Sequence, residues 1–184
     1  MIFPLFRRSA RPDTISSLYG TIVAQARLPQ LYREYAVPDT VNGRFDLIVL
    51  HLALLLDRLA EDEGLRALGQ GVFDRFCQDM DHNLREMGVG DLAVPKEMRR
   101  MGEAFYGRAQ IYRAALADAD DEALVAALAR NIYGGTALAP VQRLAAYMRE
   151  AVRQLGAQES ASLAVGRLSF PDPTSVPPPA ASRV

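Results

Sequence analysis

The feature that most constrains the fold is the stretch from Phe45 to Ala60, which is apolar almost all the way round a helix. Its polar residues are Asp46, His51, Asp57 and Arg58. A helix with so narrow a polar side is buried on most of its surface. Its apolar run is shorter than the roughly 18 residues that a membrane-spanning helix needs. We therefore expect it to be the central helix of a bundle.

Helical periodicity also covers most of the remaining chain, and strand signals are nearly absent. From Phe73 to Met87, apolar residues recur at steps of three and four, which predicts one buried face. Gly88 is placed as the left-handed residue that ends this helix, and Pro95 suits the first turn of the next one. The sequence thus predicts an all-α, single-domain bundle of about six or seven helices over residues 12–156.

The two ends of the chain differ in composition from this bundle. Residues 1–11 place apolar side chains before basic ones, the reverse of a secretory signal. Phe3, Phe6, Arg7 and Arg8 are candidates for contact with a membrane surface. The alternatives are a flap packed on the bundle or a frayed end. Residues 157–184 are rich in proline, and we expect an extended or disordered tail.

Composition excludes several classes of function. The formal charge of −1 argues against a general nucleic-acid-binding protein, because neutralising phosphates requires a basic excess. The single cysteine, Cys77, allows no internal disulfide and fits a reducing compartment. We expect a cytoplasmic protein, peripheral to the inner face of the membrane if its N-terminal segment makes contact there.

The densest cluster of polar residues lies at the end of the helix that precedes Gly88. His82 and Glu86 are four residues apart and share a helix face, as in half of a helical metal site. Di-metal sites of bundles use paired Glu-x-x-His motifs, and this chain has none. We predict no metal, no cofactor and no catalysis; a metal-assisted hydrolase using Asp81, His82 and Glu86 is the alternative.

Two further polar residues are predicted to serve structure. His51 is interpreted as a core histidine with a hydrogen-bond partner in a neighbouring segment rather than as a catalytic group. The Val-Pro-Asp-Thr turn at residues 37–40 places Asp39 just ahead of the central helix. There, Asp39 is expected either to cap that helix or to hold Arg44.

Two long strings of residues carry a resemblance to a known family. They are YAVPDTVNGRFDLIVLHLALLLDRL at residues 35–59 and DMDHNLREMGVGDLAVPKEMRRMGEAFYGR at residues 79–108. Together they resemble the ubiquinol–cytochrome c chaperone family, which comprises mitochondrial assembly factors for cytochrome b of the bc1 complex and their alphaproteobacterial relatives. The resemblance extends from about residue 26 to residue 147.

The resemblance implies an all-helical chaperone rather than an enzyme. It implies that the client is newly made cytochrome b and that the product is the assembled bc1 complex. It also implies a small partner subunit, as in mitochondria; contact with the ribosome transfers least directly. A client-free helical scaffold is a further alternative.

The client surface is predicted near the linker between the two helices that carry the second string. The proposed residues are Arg44, His82, Arg85, Asp91, Tyr106 and Arg108. They lie within the two strings, and the helical periodicity turns several of them away from the apolar faces. The rival interpretation is an internal network, in which Asp81 pairs with Arg85 and Arg108 binds a helix end.

Overall fold

The computed structural model describes residues 12–135 and 138–177. Its helices are α1 (Pro12–Ala26), α2 (Pro29–Arg33), α3 (Val41–Ala60), α4 (Arg66–Glu86), α5 (Val94–Ala117), α6 (Glu122–Ile132), α7 (Leu138–Gly156) and the four-residue α8 (Ser160–Leu163). Single 3-10 turns lie at Glu63–Leu65 and Pro173–Ser175. No strand occurs in these ranges, so the prediction of an all-α bundle of about seven helices is confirmed.

Helix α3 packs against α1, α4, α5, α6 and α7. Its residues from 46 to 55 are all buried, which places apolar side chains on every side of the helix against a neighbour. Burying them removes apolar surface from water on all sides of α3, and this is the main force that gathers the other helices around it.

The loop before α3 fixes where that helix begins. The Thr40 hydroxyl accepts a hydrogen bond from the Gly43 amide at 3.1 Å and caps the helix. Asp39 instead binds Arg44, with its Oδ1 2.7 Å from Nε. Of the two roles considered for Asp39, the structure therefore shows the second, and Thr40 supplies the cap.

His51 is fully buried in α3, and its side chain is part of a continuous series of hydrogen bonds. A carbonyl oxygen only accepts, so Nδ1 donates to the carbonyl of Leu47 at 2.7 Å, and Nε2 accepts from the Tyr147 hydroxyl at 2.7 Å. The Tyr147 oxygen accepts from Gln25 Nε2 at 2.9 Å, and the same amide donates to the carbonyl of Pro171 at 2.8 Å. Burial lowers the pKa of His51 to about 4, so the ring is neutral.

The segment after α7 differs from the expected extended or disordered tail. Leu163, Phe170 and Val176 are buried against the bundle, and the Phe170 ring lies 5.0 Å from that of His51. The Tyr35 hydroxyl donates to the carbonyl of Pro173 at 2.6 Å. Because these bonds use proline carbonyls as acceptors, a segment with few amide hydrogens can still pack tightly.

Two observations bear on contact with a membrane. The candidate membrane-proximal residues Phe3, Phe6, Arg7 and Arg8 lie outside the described residues. Within the described ranges, no helix combines the length and the apolar character that crossing a membrane requires.

Candidate functional site: the α4–α5 hairpin

Helix α4 ends in a sharply defined turn that leads into α5. Gly88 adopts a positive φ of 84°, which glycine tolerates without strain, as the sequence predicted. The Val89 amide donates to the carbonyl of Leu84, and the Gly88 amide donates to that of Arg85, both at 3.0 Å. This pair of bonds is a Schellman motif. The turn therefore has a fixed geometry.

The inner and outer sides of this hairpin differ in burial. Leu84, near the end of α4, and Val94, at the start of α5, are buried. On the outside, the Leu92 side chain is 99% exposed and that of Met87 is 57% exposed. Met87 follows the apolar spacing of α4, but it is the residue at the C-cap, where the helix has already left the core. Two large apolar side chains thus face solvent at the hairpin tip.

Charged side chains lie on the last turns of α4 and in the linker that carries Leu92. Arg85 Nε binds Asp81 at 2.7 Å, and a terminal nitrogen of Arg85 binds Asp91 across the turn. The bond from Arg85 holds the pKa of Asp81 below its usual range. His82, the residue after Asp81, lies beside Glu86, with its Nε2 3.2 Å from the Glu86 Oε1. The structure thus pairs Arg85 with Asp91, two of the six predicted site residues, and none of the interactions of the described residues joins His82 to either of them.

Tyr106 lies about 18 Å along α5 from Val94, judged by the helical rise of about 1.5 Å per residue. It is 62% exposed, and its ring packs against Phe73 at 5.6 Å and Phe105 at 5.4 Å. Tyr106 is therefore an exposed member of an aromatic cluster between α4 and α5. It does not belong to the charged group at the hairpin tip.

Arg108 points into the protein rather than towards a client. Its terminal nitrogen lies 2.9 Å from Oδ1 of Asp46, which is almost fully buried in α3. The approach lacks the angle of a hydrogen bond, so Oδ1 has no aligned donor among the described residues. Burial accordingly raises the pKa of Asp46 to about 6 despite the nearby guanidinium. This arrangement matches the internal-network interpretation, with a carboxylate in place of the helix end.

Arg44 lies on the first turn of α3, in its bond to Asp39, and lines a cleft with Arg27, which follows α1, and with residues of α2. It makes no contact with His82, Arg85 or Asp91 among the interactions of the described residues. The two strings that suggested one surface therefore contribute to at least two separate ones.

The candidate metal ligands do not converge. Asp81 is engaged by Arg85, and His82 is paired with Glu86 on a neighbouring part of the helix surface. Within the described ranges, no group of three His, Cys, Asp or Glu side chains is placed to hold a metal ion.

Sequence reasoning did not select Leu92, the most exposed of the large apolar residues described. The signal was available, because a leucine stands between Asp91 and the start of α5 in a turn too short to fold back over it. Periodicity ranks residues within helices and gives no prediction for a residue in a linker.

Comparison with known proteins gives a consistent result. A model of the family described as "Ubiquinol-cytochrome C chaperone" matches residues 33–170. The crystal structure of the Cbp3 homolog from Brucella abortus is 40% identical and superposes with a TM-score of 0.85, over 96% of this chain and all of that one.

Two curated relatives agree with this. Ubiquinol-cytochrome-c reductase complex assembly factor 1 of Xenopus laevis is 25% identical over 141 residues, which are 75% of this chain and 70% of that protein. The Mus musculus assembly factor 1 is 24% identical over 149 residues, 79% of this chain but only 50% of the mouse protein. Because the family match covers most of the chain, this protein belongs to the ubiquinol–cytochrome c chaperone family.

Proposed function

We propose that this protein is an assembly chaperone of the ubiquinol–cytochrome c reductase (bc1) complex. Its client is newly made cytochrome b, and it holds that client through the α4–α5 hairpin. The proposal assigns the chain no catalytic step and no cofactor. Its working place is the cytoplasmic face of the membrane into which the client is inserted. A small partner subunit, as in mitochondria, is part of the same proposal.

The observation that carries the proposed surface is the exposure of Leu92 and Met87 on a turn of fixed geometry. A preorganised apolar tip loses little conformational freedom when it binds, so most of the burial energy is available for affinity. Methionine also adapts to apolar partners of varied shape. These properties suit a client whose membrane segments expose apolar side chains before assembly.

The charges around the tip give the surface its selectivity. His82, Arg85 and Asp91 lie within reach of polar groups that flank an apolar segment. Exposed charge pairs contribute little to folding. Their arrangement around an apolar centre follows the usual anatomy of a binding interface, which has an apolar core and a polar rim. Tyr106 would extend this contact along α5 for a client segment long enough to reach it.

The test is the recovery of cytochrome b by a tagged copy of the full chain. Wild-type protein and a Met87→Ser, Leu92→Ser variant would be crosslinked in cells and purified, with cytochrome b quantified by mass spectrometry. We expect the variant to recover at least about tenfold less, because two apolar anchors lose their burial. The amount of assembled bc1 complex in membranes should fall as well.

Val165→Ser is the matched control, since Val165 is 61% exposed and lies beyond α8, away from the hairpin. Equal recovery by the hairpin variant and this control would remove the hairpin from the proposal. Recovery of cytochrome b by the wild type no greater than by an unrelated tagged protein would overturn the client itself.

A further inference from the structure

A second surface, formed where the end of α1, α2 and the start of α3 meet, is a basic cleft of about 360 Å³. We use "the basic cleft" for the space lined by Arg27, Pro29, Tyr32, Arg33, Asp39 and Arg44. Three guanidinium groups and one carboxylate leave it with two net positive charges. The chain as a whole carries a formal charge of −1, so this concentration of positive charge is local.

Arg44 is held in place by one guanidinium nitrogen, while its other two guanidinium nitrogens are available to a ligand. Its Nε donates to Asp39 at 2.7 Å, and no described residue accepts from its two terminal nitrogens. The loop that carries Asp39 is itself fixed. A Cβ on Gly43 would lie 1.9 Å from the carbonyl oxygen of Pro38, so only glycine lets this loop pack on the first turn of α3. The side chain that orients Arg44 is thus built into the fold.

Arg27 and Arg33 stand on the other side of the cleft. Arg27 directly follows α1, and Arg33 is the last residue of α2. Tyr32 links these two segments, because its hydroxyl donates to the carbonyl of Ala26, the last residue of α1, at 2.6 Å. Both arginines are exposed, and neither side chain pairs with an acceptor among the described residues. Arg27, Tyr32, Asp39 and Arg44 all line this one cleft.

The chemistry of these groups indicates the class of ligand. Guanidinium groups offer paired N–H donors whose spacing matches two oxygens of a phosphate. Two arginines without acceptors and a third with free terminal nitrogens supply more donors than a single carboxylate would use. The cleft also has an apolar side, formed by Pro29 and the ring of Tyr32, against which an organic group would pack.

We propose that the basic cleft binds a phosphate group carried by a small organic moiety, with Arg27, Arg33 and Arg44 as its ligands. Such a group occurs both in the headgroup of an anionic phospholipid and in a soluble phosphate ester. The site is separate from the hairpin, so it is independent of the proposed function.

The experiment uses the full chain and two probes. Glycerol phosphate would be titrated by calorimetry, and vesicles of phosphatidylcholine with or without phosphatidylglycerol would be tested by co-sedimentation. The cleft variant is Arg27→Gln with Arg33→Gln; Arg66→Gln with Arg167→Gln is the control, since both are exposed arginines with no side-chain partner described. The control makes the same change in net charge.

We expect the cleft variant to bind at least one probe about tenfold or more weakly than the control does, because charge-assisted hydrogen bonds are lost. A loss confined to glycerol phosphate identifies a soluble ester, and a loss of vesicle binding identifies the lipid headgroup. Equal binding of both probes by the two variants would overturn the site. Cleft-dependent binding of a glutamate-rich peptide, with no such dependence for either phosphate probe, would overturn the phosphate assignment.

Discussion

The cluster around His51 and the tip of the α4–α5 hairpin are opposite in character: the first buries polar side chains, and the second exposes apolar ones. In the first, an imidazole and a phenol are fully buried and a glutamine amide is half-buried, and each hydrogen-bonds to the next until the series ends on a proline carbonyl. At the hairpin tip, leucine and methionine face solvent, while charged side chains pair with one another around them.

The difference separates structural from functional residues. A buried polar group with all its bonds made has nothing left to offer a partner, and removing it leaves the other groups unsatisfied. An exposed apolar group gains free energy only when something covers it. We therefore assign His51 to the fold and Leu92 to binding, although His51 is the more unusual residue in the sequence.

The largest effect on stability should come from breaking the buried cluster. His51→Ala removes a packed ring and leaves the Tyr147 hydroxyl without its acceptor. We expect the free energy of unfolding to fall by about 3 to 5 kcal/mol, measured by urea denaturation. Tyr147→Phe removes only the hydroxyl and should cost about 1 to 3 kcal/mol. A loss smaller than that in both variants would contradict the structural role of the cluster.

The next effect concerns the dependence of the free energy of unfolding on pH. Two buried groups contribute to it with opposite signs, so their contributions partly cancel. The pKa of His51 is lowered to about 4, so above that value the folded state binds fewer protons there than the unfolded state, and stability rises with pH up to about 6.5. The pKa of Asp46 is raised to about 6, so its contribution to stability falls as pH rises from about 4 to 6.

Asp46→Asn should expose this compensation. The free energy of unfolding of the variant relative to wild type should increase by about 2 kcal/mol between about pH 4 and pH 6.5. Thermal or urea unfolding at several pH values measures it. A difference between the two proteins that stays constant with pH would show that Asp46 does not titrate in this range.

A smaller effect is expected at the start of α3. Thr40→Ala removes the cap of the central helix and should cost about 1 kcal/mol. Asp39→Ala removes only an exposed ion pair and should cost less than Thr40→Ala, as judged by the melting temperatures of the two variants. The reverse order would show that Asp39 stabilises the helix in a way that its bond to Arg44 does not explain.

The smallest change in stability should accompany the largest change in binding. Met87→Ser with Leu92→Ser alters side chains that already face solvent, so the free energy of unfolding should change by less than about 0.5 kcal/mol. Circular dichroism on heating checks this. A loss several times larger would mean that the tip supports the fold, and the contrast with the His51 cluster would disappear.

Most of the fold could be predicted because periodicity and apolar content are local signals. The apolar composition of residues 45–60 predicted helix α3, and Gly88 predicted the end of α4. The apolar periodicity from Phe73 to Met87 covers only the later part of α4, which begins at Arg66. Residues 157–177 pack against the bundle although the proline content of the segment predicted an extended or disordered tail, because their carbonyls and a few apolar side chains find partners distant in sequence.

The site was predictable only in part, because it depends on how helices cross. Arg85 and Asp91 lie close together because a short turn follows α4, and His82 lies one helical turn before Arg85. Arg108 was expected outside, but α5 crosses α3 so that its guanidinium reaches Asp46. No spacing within one helix reveals such a crossing. Whether His82, Arg85 and Asp91 contact a client stays a prediction.

The most direct test of the central claim uses two variants of the full chain. One carries a photoreactive amino acid at position 92, and the other carries it at position 165. Both would be irradiated in cells that are making the bc1 complex, and the adducts identified by mass spectrometry. We predict an adduct with cytochrome b from position 92 and none from position 165. Adducts of equal yield from both positions, or from position 165 alone, would contradict the assignment of the α4–α5 hairpin as the client-binding surface.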